Sequence, residues 1–430
     1  MPEMKNSGIQ WVEDIPVHWE IKPLYCLFGE RKSKNSLGEE QNLLSLSYGR
    51  IIRKDINTNG GLLPASFNTY NIIEPGDIII RPTDLQNDKR SLRTGYSTEH
   101  GIITSAYIAL KPISDVNCKY MHYLLHAYDV MKVFYNMGNG VRQGLNFDEF
   151  KRLNVCIPPI SEQDTIVNFL DEKCENIDSL TADIQSQIET LEEYKKSVIT
   201  EVVTKGLNPN VEMKDSGVEW IGEIPKHFVR KRIKYCISGM ADGTHGTFQR
   251  VQDGKMLLSA KNVFEDGLHI SETESLISES DYNFIIKNGF PKKDDVLLCC
   301  VGTVGRCMLY KEDYSIAFQR SIIFLRPSNR IITPKMLFYC LQTEYTLVQE
   351  KMSVTKSAQE GLYQGAVSEL YVIFPESIDE QKIITDYLDT KCSEIDAIIS
   401  EKKEQLSTLA EYKKSLIYEY VTGKKEVVTA

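Results

Sequence analysis

The chain has 430 residues, 42% of them hydrophobic, which is enough for two or three domains with cores of their own. Its formal net charge of −10 excludes a uniformly basic nucleic-acid-binding surface. No stretch approaches the roughly 18 apolar residues that a membrane span needs, and the amino terminus lacks the pattern of a secretory signal. The ten cysteines contain no CxxC pair, so we expect reduced thiols in a cytoplasmic protein.

The negative charge is concentrated in two segments. Residues 1–160 hold 18 basic and 17 acidic side chains, a net charge of +1, and residues 206–377 hold 20 and 21, a net charge of −1. Residues 161–205 hold 4 and 11, a net charge of −7, and residues 378–430 hold 8 and 11, a net charge of −3. Local charge therefore leaves nucleic-acid binding open for the two near-neutral segments.

An entry segment occurs twice. Residues 4–19 (MKNSGIQWVEDIPVHW) match residues 213–228 (MKDSGVEWIGEIPKHF) at eight of sixteen positions. The residues that follow the first copy predict short strands at Leu43 to Leu46, Ile78 to Ile80 and Ile102 to Leu110. The sequence from Tyr120 to Val133 predicts a helix.

A long helical pattern is also repeated. Residues 190–204 and 408–422 are identical at eleven of fifteen positions, and the similarity reaches upstream to Glu162-Gln163 and Glu380-Gln381. Apolar residues recur at alternating steps of three and four, which is the spacing of a coiled-coil seam. We expect the two helices to pack on each other through Leu170, Ile177, Ile184, Ile188, Leu191, Val198, Leu388, Ile395, Ile399, Leu406, Leu409 and Leu416.

The second half repeats the framework of the first. Val296 to Val301 predicts a strand, Ile316 to Pro327 parallels residues 101–112, and Met336 to Leu341 parallels Met121 to His126. Between these positions the halves share almost nothing. Two readers of different targets would differ in this way, although drift after duplication would also produce the difference.

The expected fold is α+β, with two mixed domains joined by two long helices in an antiparallel, pseudo-two-fold-symmetric coiled coil. The expected boundaries are 1–160 for the first mixed domain, 161–205 for the first helix, 206–377 for the second mixed domain and 378–425 for the second helix.

Catalytic motifs are missing from the sequence. It contains no GxxxxGK[ST] phosphate loop and no GxSxG elbow. His122 and His126 are four residues apart on the predicted helix, but Tyr123 stands where a zinc protease would have its glutamate, which favours a structural role. We therefore expect a non-catalytic chain that holds no metal.

Side chains able to contact base edges or phosphates are concentrated in the predicted loops. The turn from Val301 to Arg306 would let backbone approach a phosphate while presenting an arginine. The candidates for DNA contact are Arg50, Arg53, Arg81, Lys89, Arg90, Arg93, Arg142, Gln143, Lys261, Asn262, Thr303, Arg306, Gln319, Arg320, Lys356, Gln359 and Gln364.

These repeated motifs resemble the specificity subunit of type I restriction–modification enzymes. The resemblance rests on the WxxxIPxHW entry, the PPISEQ and PESIDEQ helix starts and the LxEYKKSxI helix ends, and it covers essentially the whole chain. Phe228 replaces the second tryptophan, and PES replaces the PP pair in the second copy.

The resemblance implies two target recognition domains, each reading one half of a bipartite site in double-stranded DNA. It further implies that the paired helices set the spacing and dock two methyltransferase subunits, and that restriction and motor subunits join them. S-adenosylmethionine, ATP and Mg would then belong to the partner subunits. Recognition residues vary with the target within this family, so the resemblance assigns none.

Two alternatives remain open. A specificity subunit of a related methylation or restriction system would share these features, and a coiled-coil scaffold with no DNA role would share the helices. The sequence leaves open the target, the spacer length, the base-contacting residues and whether the chain is stable alone.

Overall fold

A computed structural model describes residues 3–56, 66–83, 85, 92–137, 144–219, 221–287, 290–354 and 361–428. The chain forms two compact units. Unit 1 comprises Met1–Gln185 with Glu404–Ala430, and unit 2 comprises Ser186–Lys403. Across the described ranges, no helix is both long and apolar enough to cross a membrane.

The two long helices, α3 (Ile160–Lys205) and α8 (Ile378–Val421), contribute residues to both units. The other described elements of unit 1 are β1 (Met4–Asn6), β2 (Asp14–Pro16), β3 (Glu20–Pro23), β4 (Phe28–Glu30), β5 (Leu44–Ser47), β6 (Arg50–Arg53), β7 (Asn71–Ile73), β8 (Ile78–Ile80), β9 (Thr94–Tyr96), β10 (Gly101–Ile103), β11 (Ile108–Pro112), α1 (Cys118–Val130), α2 (Phe147–Phe150) and β12 (Asn154–Ile157).

The other described elements of unit 2 are β13 (Met213–Asp215), β14 (Glu223–Pro225), β15 (Phe228–Arg232), β16 (Ile237–Asp242), β17 (Arg250–Val251), β18 (Lys255–Leu258), β19 (Val263–Phe264), β20 (Gly267–Leu268), β21 (Leu276–Ile277), α4 (Glu279–Lys287), β22 (Val296–Cys299), β23 (Cys307–Leu309), β24 (Ala317–Phe318), β25 (Ile322–Pro327), α5 (Pro334–Gln342), α6 (Glu344–Ser353), α7 (Gln364–Glu369) and β26 (Tyr371–Pro375).

A four-stranded antiparallel sheet is repeated in the two units. Its order is β4-β11-β8-β9 in unit 1 and β16-β25-β22-β23 in unit 2. The registers agree, because Ile78 pairs with Leu110 as Val296 pairs with Leu325. Strands β8 and β22 are buried along their whole length, which explains their uninterrupted apolar sequences.

One predicted strand and the matching segment of the second half are each divided by a turn. The run from Ile102 to Leu110 forms β10 and β11, because the amide of Tyr107 donates to the carbonyl of Thr104 and closes a turn between them. The run from Ile316 to Pro327 likewise forms β24 and β25. Short polar runs, Thr104-Ser105 and Gln319-Arg320-Ser321, lie at the two interruptions.

The long helices run antiparallel within each unit. In each unit, residues later in α3 contact residues earlier in α8, as in the pairs Phe169–Tyr420 and Asp178–Lys413 in unit 1 and Gln187–Lys402 and Lys195–Asp396 in unit 2. Helix α8 ends at Val421, four residues before the predicted boundary, and Gly423 beyond it has a left-handed φ of 71°.

The predicted seam residues lie at two levels of burial. Eight are buried, namely Leu170, Ile177, Ile184, Ile188, Leu388, Ile395, Ile399 and Leu416. Four are half-buried, namely Leu191, Val198, Leu406 and Leu409. Among the buried members, Leu170, Ile177 and Leu416 belong to the core of unit 1, and Leu388 belongs to the core of unit 2.

The repeated entry motif contacts the start of the long helix. In unit 1, Nε2 of His18 lies 2.9 Å from Glu162, and the indole N–H of Trp19 donates to the same carboxylate at 3.0 Å. In unit 2, His227 makes the corresponding contact with Glu380 at 3.0 Å. Phe228 fills the position of Trp19 without an N–H, so the second junction keeps the packing and loses one hydrogen bond.

A buried glutamine follows that glutamate in each copy. The side-chain oxygen of Gln163 accepts the amide N–H of Asn117 at 2.9 Å, and its nitrogen donates to the carbonyl of Pro158 at 2.9 Å. Gln381 makes the equivalent bonds with Thr333 at 2.8 Å and Pro375 at 2.9 Å, which explains why the EQ pair is repeated.

These contacts correct the predicted alignment of α1 with α5 by one residue. Lys119 Nζ lies 2.6 Å from Asp171, and Lys335 Nζ lies 2.5 Å from Asp389. Lys119 is therefore equivalent to Lys335, and Met121 is equivalent to Leu337 rather than to Met336. The shared methionine was a misleading anchor, because any apolar residue can fill that buried position.

His122 and His126 are half-buried in unit 1. Burial, with repulsion from neighbouring cations, lowers the pKa of His122 to about 3 and that of His126 to about 4. Nε2 of His122 and Nδ1 of His126 find no hydrogen-bond partner among the described residues. The described residues also include no group of three or more His, Cys, Asp or Glu side chains arranged to hold a metal ion.

We predict that His122→Phe stabilises unit 1 at acidic pH. The pKa of a histidine in the unfolded chain is about 6.5, so at lower pH the unfolded state binds a proton that the folded state does not. His122 therefore lowers the free energy of unfolding more and more as the pH falls. At pH 5 the removed penalty is about 2 kcal/mol, and at pH 8 it vanishes. Unfolding in urea at both pH values measures the difference, with the exposed His269→Gln as the control. Equal changes at pH 5 and pH 8 would contradict the prediction.

Candidate nucleic-acid interface

Four chain segments converge at one edge of the sheet in unit 2. Strands β16 and β22 end at this edge while β25 and β23 begin there, as antiparallel order requires. The amide of Arg320 donates to the carbonyl of Thr244 at 3.0 Å, and the amide of Leu362 donates to that of Cys300 at 2.8 Å. These backbone bonds bring the loops before β25 and before α7 beside the ends of β16 and β22.

Five polar or aromatic side chains gather at this edge, and we refer to them as the sheet-edge cluster: Asp242, His245, Arg320, Tyr363 and Gln364. They line a cavity of about 80 Å³ whose floor is apolar. Gln364 Nε2 donates to Asp242 Oδ1 at 2.6 Å, and His245 Nε2 lies 2.5 Å from Asp242 Oδ2. The cluster combines fixed hydrogen-bonding groups with a cation and a tyrosine that is 55% exposed.

The structure brings together two of the predicted contact residues, Arg320 and Gln364, in the sheet-edge cluster. Gln319 precedes Arg320 and is half-buried, and Thr303 is exposed on the nearby turn after β22. Gly302 and Gly305 give that turn its shape with φ values of 84° and 89°, which favour glycine.

Arg306, at the end of that turn, points into unit 2. Its guanidinium donates to the carbonyl of Ala260 and lies 4.1 Å from the centre of the Phe264 ring. The prediction that it contacts a phosphate is therefore corrected, because its charge is directed toward the loop before β19.

Asn262 also has a structural role. It is 2% exposed, its side-chain nitrogen donates to Glu274 at 2.7 Å, and its oxygen accepts the amide of Ser259 at 3.0 Å. Lys261 beside it has an exposed side chain that lies 2.7 Å from Glu274. Burial would raise the pKa of Glu274, but the hydrogen bonds from Lys261 and Asn262 outweigh it and lower that pKa.

Arg93 in unit 1 is another correction, because it is fully buried. It bonds to the carbonyl of Thr83, and its Nε donates to the hydroxyl of Tyr135 at 3.2 Å. Its strand register makes Arg93 equivalent to Arg306. The amide of Arg81 donates to the carbonyl of Arg93, and in the same way the amide of Cys299 donates to the carbonyl of Arg306. Both arginines support loops from within.

Arg50 and Arg53 lie on the β5–β6 hairpin with most of each side chain exposed. Arg50 lies 3.2 Å from Asp178 on α3, and Arg53 lies 2.5 Å from Glu99, whose pKa this bond lowers. Arg81 is half-buried at the end of β8. The remaining candidates fall outside the described residues: Lys89, Arg90, Arg142, Gln143, Lys356 and Gln359.

The same sheet edge in unit 1 carries different chemistry. The amide of Leu145 donates to the carbonyl of Pro82 at 2.9 Å, as the amide of Leu362 donates to the carbonyl of Cys300 in unit 2. Asn146 and Phe147 therefore occupy the positions of Tyr363 and Gln364. Extending the register of β4 and β11 puts Lys32 where Asp242 stands in unit 2. A cation and an apolar ring thus replace a carboxylate and an amide.

Three members of the sheet-edge cluster were not predicted from sequence: Asp242, His245 and Tyr363. The run Ala241-Asp242-Gly243-Thr244-His245 has the composition of a turn, and an acidic residue three positions before a histidine could have been noted as a pair. Their proximity to Gln364 comes from long-range pairing, which local patterns do not encode.

Comparisons with known proteins agree with this architecture. The family model for the type I restriction modification DNA specificity domain matches residues 70–190 and 255–408. The type I restriction enzyme EcoBI specificity subunit of Escherichia coli is 21% identical over 280 residues, which are 62% of this chain and 57% of that protein. The type I restriction enzyme MjaVIII specificity subunit of Methanocaldococcus jannaschii is 24% identical over 338 residues, covering 76% of this chain and 75% of the relative.

A solved chain described as "Structural basis underlying complex assembly and conformational transition of the type I R-M system" has the same fold. The TM-score is 0.68 at 14% identity, with 96% of this chain and 99% of that chain covered. The alignment to the EcoBI subunit spans little more than half of that relative. Because the family model matches well over half of the sequence in two repeated segments, the chain belongs to the type I restriction modification DNA specificity domain family.

Proposed function

We propose that this chain is a non-catalytic subunit that binds double-stranded DNA and gives a type I restriction–modification complex its sequence specificity. Each unit reads one part of a bipartite site. The observation that carries the proposal is that one sheet frame is repeated while its edge differs, with Lys32, Asn146 and Phe147 in unit 1 in place of Asp242, Tyr363 and Gln364 in unit 2.

Unlike edges imply unlike half-sites. Bases are distinguished by donor and acceptor patterns at their edges, and a carboxylate with an amide favours different patterns from a lysine with an aromatic ring. The whole DNA site is therefore asymmetric. Helices of 46 and 44 residues supply a stiff element that sets the spacing between the parts.

The solvent-facing sides of the long helices offer surfaces for partners. On α8, Ile383, Tyr387 and Ile398 are 61%, 38% and 44% exposed, and their spacings of 4 and 11 put them on one helix face. The repeat places Phe169 and Leu180 of α3 at the positions of Tyr387 and Ile398, and Leu180 is 47% exposed. Exposed apolar rows on acidic helices are typical of protein interfaces.

On α3 the position of Ile383 is taken by Thr165, and Phe169 is half-buried against Tyr420, so the surface there is less apolar. The repeat still provides two related surfaces, which fits two copies of one partner. We assign that role to two methyltransferase subunits, with restriction and motor subunits completing the complex. S-adenosylmethionine, ATP and Mg bind to those partners in this proposal. A specificity subunit of a related methylation or restriction system would differ only in the identity of its partners.

We predict that selection from random duplex DNA with the chain and its methyltransferase partner enriches two different base blocks at one fixed spacing. The salt concentration must be held constant, because phosphate contacts weaken steeply with salt. The methyltransferase alone is the control and should enrich neither block. An intact complex that enriches no sequence would leave the scaffold alternative and refute DNA reading.

We predict that Tyr387→Glu combined with Ile398→Glu removes one methyltransferase subunit, because burying two new carboxylates at an interface is unfavourable. Native mass spectrometry should show one partner per chain in place of two. Leu180→Glu should weaken the other partner site. Ser407→Glu, on an exposed position outside the row, is the control, and equal loss with that variant would contradict a specific surface.

A further inference from the structure

Asp242 holds Gln364 in one orientation. A carboxylate can only accept hydrogen bonds, so the amide group 2.6 Å from Asp242 Oδ1 must be the nitrogen Nε2. The second carboxylate oxygen is engaged by His245 Nε2 at 2.5 Å, which prevents Asp242 from turning away. The side-chain oxygen of Gln364 and one remaining N–H are therefore presented in a fixed arrangement.

An acceptor beside a donor matches one base edge. In the major groove, adenine offers an N6 amino donor next to its N7 acceptor, and a glutamine amide can bond to both. Guanine offers two acceptors there, so it would place O6 against the amide oxygen. Cytosine offers only its N4 amino donor there, and thymine offers only its O4 acceptor.

The cavity beside the amide suits a base edge rather than a whole base. Its volume of about 80 Å³ equals that of two or three water molecules at roughly 30 Å³ each. Arg320 and Tyr363 border the same cavity and supply a cation and a ring for the flanking backbone or base.

We propose that Gln364 reads an adenine within the DNA part bound by unit 2, and that Asp242 and His245 are positioning residues for its amide. This inference rests on the proposed DNA-binding function and assigns one base of its target. The competing structural explanation is that the Asp242–Gln364 bond only fastens the start of α7. That explanation predicts a loss of stability with no change in base preference.

The test is the same DNA selection with three variants of the full chain in complex with its methyltransferase partner. Gln364→Met keeps the length of the side chain and removes both hydrogen-bonding groups. Adenine preference should fall about 5- to 150-fold at one position of one block, as expected for a lost bidentate base contact. The other block, read by unit 1, should not change.

Asp242→Asn separates positioning from contact. An asparagine can donate to the amide oxygen of Gln364, so the amide can turn over, and the adenine preference should weaken without disappearing. Gln349→Met is the matched control, because the side chain of Gln349 bonds to backbone atoms of Tyr345, at 3.2 Å, and of Tyr371, at 3.0 and 2.9 Å. It should lower thermal stability and leave both blocks unchanged.

The outcomes separate the two proposals. No enrichment by the unaltered complex would overturn the proposed function. Enrichment that Gln364→Met leaves unchanged, or changes at a position where adenine is not preferred, would overturn the adenine assignment alone. Should Gln364→Met fail to assemble, Asp242→Asn carries the test, and an unchanged adenine preference with that variant would equally overturn the assignment.

Discussion

One buried amide at the start of each long helix fixes how a mixed domain is attached. Gln163 and Gln381, 2% and 0% exposed, each bridge the end of a strand and the start of a short helix. Removing either amide would leave buried backbone groups unpaired, at a cost of about 1–3 kcal/mol for each group. Because these bonds engage backbone atoms, they do not depend on which side chains the bonded positions carry.

Ion pairs between the long helices form a second point of attachment for the mixed domains. The ion pairs Asp178–Lys413 and Lys195–Asp396 occupy equivalent repeat positions. In unit 1, Arg50 of the β5–β6 hairpin contacts Asp178 of this ion pair. In unit 2, Glu265 of the β19–β20 turn lies 3.6 Å from Lys195. An ion pair can accept either sign of charge, so unlike domains can use the same helix surface.

The repeats made the framework predictable, whereas the recognition surface was only partly predictable. Matching motifs revealed the long helices and the repeated strand segments, because those features depend on local periodicity. Arg93 and Arg306 were predicted as surface residues because their turns look polar, yet their guanidinium groups bond to backbone carbonyls inside each unit. Asp242 escaped notice because only strand pairing brings it to Gln364, more than a hundred residues away.

The discontinuity of unit 1 imposes an order on folding during synthesis. Unit 2 is one uninterrupted segment, Ser186–Lys403, whereas unit 1 also needs residues from Glu404 onward. Ile417 and Val421 belong to the core of unit 1, and the carbonyl of Val421 accepts the buried hydroxyl of Tyr120 at 2.9 Å. Since the ribosome delivers the amino-terminal part first, unit 1 must keep an open apolar surface until after unit 2 has emerged. The unit whose synthesis begins first is thus completed last.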